Sequence, residues 1–138
     1  MGKIYELTSA QIEELLETAI IGRLACAVPD EPRPYLVPIG YRYDGEALYF
    51  LSAPGRKIEL MRQQPLVAFE VDRGDADDRW QSVVCDGTYE ELISPDGRAH
   101  ALAILFPDAP PPPIAPHMIL FRIVLTRKSG RGERPDAS

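Results

Sequence analysis

Residues 33–72 read RPYLVPIGYRYDGEALYFLSAPGRKIELMRQQPLVAFEVD, and their punctuation sets the expected fold. YLVPIGYRY (35–43) is rich in β-branched and aromatic residues and reads as a strand. Pro38 and Gly40 interrupt it. Proline gives no ladder donor and glycine leaves bare backbone, so the strand belongs at an edge, at a bulge, or beside a ligand. Asp44-Gly45 then signals a two-residue hairpin turn. ALYFLS (47–52) is the returning strand. It stops at Ser52, Ala53, Pro54 and Gly55, and a short helical pattern runs over 56–63 until Pro65 ends it. LVAFEVD (66–72) is the next strand.

Working outward, the N-terminal side carries an amphipathic helix over 8–21. Thr8 and Gln11 fit a capping box, Leu7 and Ile12 a hydrophobic staple, and Gly22 a stop. Ile12, Leu15, Leu16, Ala19 and Ile20 form its apolar stripe, with Glu13, Glu14 and Glu17 facing water. RLACAV (23–28) is a buried strand, and the proline-rich PDEPRP after it is a turn. On the C-terminal side, RGDADD reads as a solvated loop and WQSVVCDGTYEEL (80–92) as a long strand bent at Gly87. Ser94-Pro95 opens a third helix to about Phe106. Pro107–Pro116 is a stiff, extended connection. HMILFRIVLT (117–126) is the last strand. The expected architecture is mainly β within the α+β class, six antiparallel strands closed as a small barrel with flanking helices, because closure hides strand edges. Residues 1–126 form the single expected domain and 127–138 a polar, disordered tail.

The bulk numbers exclude several function classes. The chain has 138 residues, 45% of them hydrophobic, enough for a core without staples. Its 21 acidic and 15 basic residues give a net charge of -6, which argues against nucleic-acid or anionic-membrane binding. No signal peptide and no membrane-spanning run are apparent, so a cytoplasmic protein is expected. Cys26 and Cys85 stand outside any CxxC pair. They read as two buried free thiols, with a reactive thiol or a disulfide as the alternatives. No spacing of His, Cys, Asp or Glu suggests a metal site.

The chemistry centres on Arg56 and Lys57. Cations at a helix N-terminus oppose the helix dipole unless an anion lies nearby. Free backbone N–H groups, the Ser52 hydroxyl and these two side chains suit a phosphate, with Gly55 allowing close approach. The spacing is not that of a P-loop. The alternative is an ordinary surface helix with its cations on the wet side. Trp80 and Tyr41 are candidate aromatic walls for a flat ligand, or ordinary packing. His117 is the better-placed proton donor of the two histidines, His100 being expected on the third helix. No catalytic residue is assigned.

These segments, in this order, resemble the FMN-binding split barrels related to pyridoxamine 5′-phosphate oxidase, closest to the short members that include nitroimidazole-resistance proteins. The resemblance rests on IGRLACAV, on the stretch quoted above, on WQSVVCDGTYEEL and on LFRIVLT, and covers roughly residues 5–126. It implies a homodimer with two FMN sites at the subunit interface. Val37, Pro38, Ile39, Gly40 and Tyr41 would border the isoalloxazine ring, and Phe50, Leu51 and Ser52 would continue that wall. Arg56 and Lys57 would hold the phosphate, and Trp80 and Ser82 would close the site across the interface. The implied activity is reduction of a small organic acceptor with nicotinamide-derived electrons. The alternatives are an F420- or heme-binding split barrel, or a flavin-binding module without turnover. Tyr35, and Gly40 or Tyr41, stand where the oxidases carry basic residues, Leu51 where many nitroimidazole-resistance relatives carry histidine, and the oxidases' C-terminal substrate segment is missing. Vitamin B6 oxidation is therefore not expected.

Overall fold

The barrel is built on one continuous antiparallel sheet. In the computed structural model, which describes residues 2–136, the elements are β1 (Lys3–Glu6), α1 (Ser9–Thr18), β2 (Ile21–Cys26), β3 (Tyr35–Gly40), β4 (Arg42–Tyr43), β5 (Ala47–Ser52), α2 (Arg56–Gln63), β6 (Leu66–Ala76), β7 (Arg79–Glu91), α3 (Pro95–Leu105) and β8 (Ile119–Arg134). The strand order is β3-β2-β6-β7-β8-β5-β4, with β1 added beside β8. This is the expected split barrel with three flanking helices. Eight strands replace six, because β1 was not read as a strand and YLVPIGYRY divides into β3 and β4.

Local chemistry explains the elements that the sequence announces. The Thr8 hydroxyl accepts from Gln11 N at 3.2 Å and the Gln11 side chain accepts from Thr8 N at 2.8 Å, which caps two orphan donors of α1. At the β4–β5 hairpin Gly45 takes φ 100°, a conformation only glycine adopts freely. There Asp44 Oδ1 accepts from Glu46 N and Ala47 N at 2.9 and 2.8 Å. Gly87 sits at a register shift in β7 against β8. Any Cβ there would lie 2.7 Å from Val124 O, so the bend is kept by close backbone approach.

The main core lies inside the barrel. The Phe50 and Phe121 rings stack at 4.6 Å, and Phe69 meets both Phe50 and Tyr41 edge-on. Leu15 and Leu16 of α1 and Ile58, Leu60 and Met61 of α2 plug its openings. A second cluster lies outside β5 and β8, where Ala101 of α3 covers Tyr49 and Leu120. Strand β5 is thus buried on both faces, and each large side chain it hides contributes about 2 kcal/mol of transfer free energy.

Three expectations are corrected. The polar tail is not disordered through Arg134: β8 continues there, pairing with β7 and β1. Ala137 and Ser138 lie outside the described residues. RGDADD is not a loop, since β6 runs to Ala76 and turns at once into β7. Helix α1 ends at Thr18, because Ile21 already belongs to β2 and pairs with Gly40.

Candidate functional site

The barrel opens where β3 parts from β5. Arg42 and Tyr43 pair with Tyr49 and Leu48, whereas the preceding residues pair only with β2. The chain crosses from one half of the sheet to the other at Gly40–Tyr41, with Tyr41 N donating to Ile20 O at 3.2 Å. One edge of β3 is therefore free, the position in which Pro38 costs no ladder bond. Continuing the β4–β5 register places Gly40 opposite Leu51. These two residues share a pocket of about 290 Å³ at the mouth of the split, with Leu105 and Phe106 from the end of α3, Ile20 at its rim and Arg42 beside it.

Beyond Leu51 the chain reaches α2. Its N-cap, Gly55, makes no side-chain capping bond, in contrast to Thr8 before α1 and Ser94 before α3. The first-turn N–H groups of α2 are thus left for another acceptor. Among the described residues neither Arg56 nor Lys57 makes an ion pair. Space around Gly55 is open: a Cβ there would meet nothing within 4 Å. Lys57 lies near the end of β2, where its charge works against the burial that pushes the Cys26 thiol up to about 11. Cys26 pairs with Tyr35, so the cations stand near the start of β3 and the pocket stands at its end. The intervening strand is about 17 Å long at the usual rise.

The structure divides the sequence-predicted site residues. Gly40, Tyr41 and Leu51 share the pocket. Tyr41 and Phe50 direct their rings into the core, and the Tyr41 hydroxyl donates to Leu16 O at 2.6 Å, so both offer a ligand little beyond backbone. Val37 and Ile39 also pack toward the core, while Pro38 is exposed on the opposite face. Ser52 is buried and donates its hydroxyl proton to Ala53 O at 2.8 Å, which removes it as a ready phosphate donor.

Trp80 and Ser82 lie apart, on the outer face of β7. There the Ser82 hydroxyl donates to Glu70 at 2.8 Å and the Trp80 indole N–H donates to Glu133 at 3.0 Å. Glu70 and Asp72 share Arg23, at 3.7 and 3.3 Å. Burial first, and then the neighbouring Asp72, push the Glu70 carboxyl above its ordinary value. Sequence reasoning missed Glu70, although a carboxylate inside the apolar run LVAFEVD was a signal. Ile20, Leu105 and Phe106 had none, since only the fold brings α3 to the split.

Both cysteines are free and buried, and burial pushes Cys85 up to about 12, so neither is a reactive thiolate. Both histidines are exposed, His100 on α3 and His117 before β8, and neither lines the pocket. Among the described residues no group of three His, Cys, Asp or Glu could hold a metal, and no helix is long and apolar enough to cross a membrane.

Comparison with known proteins follows the same lines. The sequence profile of a family described as pyridoxamine 5′-phosphate oxidase matches residues 8–131. An uncharacterised protein of Rhizobium meliloti, RA0666, is 40% identical over 89 residues, 62% of this chain. The match spans 58% of that relative's length. The crystal structure of a FAD-binding protein from Mesorhizobium loti superposes with a TM-score of 0.77 at 37% identity, covering 98% of this chain and 99% of that one. A candidate 5-nitroimidazole antibiotic resistance protein from Bacteroides thetaiotaomicron superposes with a TM-score of 0.82 at 21% identity, covering 99% and 93%.

Proposed function

Because the chain belongs to the pyridoxamine 5′-phosphate oxidase family, we propose that it binds a flavin nucleotide along the free edge of β3 and is a flavin-dependent oxidoreductase. The observation that carries this reading is the uncapped start of α2 with Arg56 and Lys57 unpaired, in a chain whose acids outnumber its bases. Two cations and free backbone donors at a helix start suit a phosphate. Arg56 and Lys57 would hold it, and the β3 backbone from Val37 to Ile39 would flank the ring, whose far end would reach the pocket lined by Gly40, Tyr41 and Leu51. The flavin would supply two-electron transfer, from a nicotinamide donor to a small quinone or nitro compound. The residues around it position the reactants and exclude water.

FMN is the cofactor proposed. The FAD-binding relative at 37% identity supports a flavin and makes FAD the second candidate. Heme would need an axial histidine, and neither histidine lines the pocket at the split. F420, with its long acidic tail, would want more cations than this edge presents.

We further propose a cytoplasmic homodimer. A second copy would bring its Trp80 and Ser82 to the ring, which explains why one protomer holds them apart from the pocket. Two buried free cysteines suit a reducing compartment.

The test is uptake of FMN and of FAD, read from the visible absorption spectrum after desalting. The double variant Arg56→Ala, Lys57→Ala is expected to bind at least about a hundredfold more weakly, since two charge-assisted contacts are lost. Its circular dichroism should be unchanged, because among the described residues neither side chain makes an ion pair or a side-chain hydrogen bond. Unaltered affinity in the double variant would overturn the cradle.

A further inference from the structure

The pocket at the mouth of the split has a composition of its own. Ile20, Leu51, Leu105 and Phe106 supply apolar walls, and Gly40 presents bare backbone between them. Tyr41 contributes no charge, because burial holds its phenol well above the ordinary value and its proton is given to Leu16 O. Among the described residues that leaves Arg42 as the one cation lining the pocket.

Arg42 belongs, with Arg56, Arg127, Arg131 and Arg134, to the arginines that hold no carboxylate among the described residues, and it is the one of them that lines this pocket. Arg23, Arg62, Arg73 and Arg122 each hold a carboxylate at 3.3 Å or closer. Among the described residues Arg42 makes no ion pair and no side-chain hydrogen bond, although acids outnumber bases by 21 to 15. What carries the argument is position: an unpaired guanidinium at the edge of an open apolar cleft can hold an anion whose apolar body fills that cleft. Ile20, 66% exposed at the rim, is apolar surface that such a ligand would cover.

We propose that this pocket is the acceptor site and takes a flat, apolar, one- or two-ring molecule bearing a single carboxylate or sulfonate, held by Arg42. The volume of about 290 Å³ sets the size. One cation without a second favours a monoanion over a phosphate. For a quinone carboxylate the balance is complete: the nicotinamide donor gives a hydride, solvent gives a proton, and the quinone becomes a hydroquinone. The placement of this molecule beside the flavin ring rests on the reading above; its binding does not.

The experiment titrates the full chain with 2-naphthoate and with its neutral counterpart 2-naphthamide, followed by NMR chemical shifts, with and without FMN. The naphthoate is expected to bind about tenfold more tightly than the amide, the size of one partly shielded ion pair. Shifts should centre on Gly40, Leu51 and Phe106. Arg42→Gln should erase the preference while leaving the amide's affinity within about twofold. Phe106→Ala should weaken both ligands alike. Arg42 is exposed and unpartnered, so its replacement leaves folding intact. A preference that survives Arg42→Gln, or shifts that map elsewhere, overturns the proposal, as does absence of binding by either ligand. Arg42-dependent binding in a protein that takes up no flavin would sink the cofactor reading alone. Flavin uptake with no Arg42 dependence would sink the acceptor pocket alone.

Discussion

At the scale of single residues, two carboxylates, Glu70 on β6 and Glu13 on α1, respond to pH with opposite sign. Glu70 is held above its ordinary value by burial and by Asp72, only partly offset by Ser82 and Arg23. A raised carboxyl stabilises the fold when protonated. Its contribution is complete below the unfolded value of 4.5 and is lost as pH rises through the raised folded value. For Glu13 burial also pushes upward, but the bonds from Lys128 and Tyr43 outweigh it and hold the carboxyl low. Its contribution is present above 4.5 and is lost as pH falls. Glu70→Gln keeps an acceptor for the Ser82 hydroxyl while removing the charge. It is expected to stabilise the protein at neutral pH by about 0.5 kcal/mol, after allowance for solvent screening, and not at all in acid. Calorimetry at the two pH values checks this, and an equal shift at both would contradict it.

At the scale of elements, the packing of β2 on β6 depends on Gly22. A Cβ there would run into the Phe69 ring and lie 2.7 Å from Glu70 O, and the backbone oxygen cannot give way. Gly22→Ala is expected to cost about 1–3 kcal/mol through overpacking. Gly55→Ala, where a Cβ meets nothing, is expected to cost little of the native packing. Denaturant unfolding of the two variants measures the difference. Equal losses would show that the β2–β6 contact is softer than the packing indicates.

At the scale of the whole molecule, the outer face of β3-β2-β6-β7 lacks a cover. The registers align Leu36, Ala25 and Ala68 in one row and Pro38, Arg23, Glu70 and Val84 in the next. Leu36 is 66% exposed and Leu66 64%, on a face that also carries Ile21 and Val84. A second copy covering this face would bury both rows and bring Trp80 and Ser82 toward a neighbouring split. Sedimentation is expected to find a dimer at micromolar protein, and Leu36→Glu with Leu66→Glu is expected to give monomers with weakened flavin binding. A wild-type monomer that binds flavin tightly would rule out an interface site.

The sequence by itself determined what local chemistry controls. The helix expected over 56–63 is Arg56–Gln63, because Pro54-Gly55 and Pro65 bracket it. The Asp44-Gly45 turn and the Thr8 and Ser94 caps were equally legible, since each rests on side chains that bond to their own backbone. Strands without apolar alternation were not. RKSGRGER carries no apolar alternation, yet it extends β8 because β7 and β1 offer it ladder partners on both sides. The same limit governs the site. Alternation along YLVPIGY and ALYFL announces two strands but not which face meets the core, so Tyr41 and Phe50 look like ligand walls until packing claims them. Only the tertiary structure decided where the barrel splits, and with it the meeting of Gly40, Leu51 and Phe106 beside Arg42. That meeting joins residues from three separate parts of the chain, and it is fixed by strand register and helix docking, which no local pattern encodes.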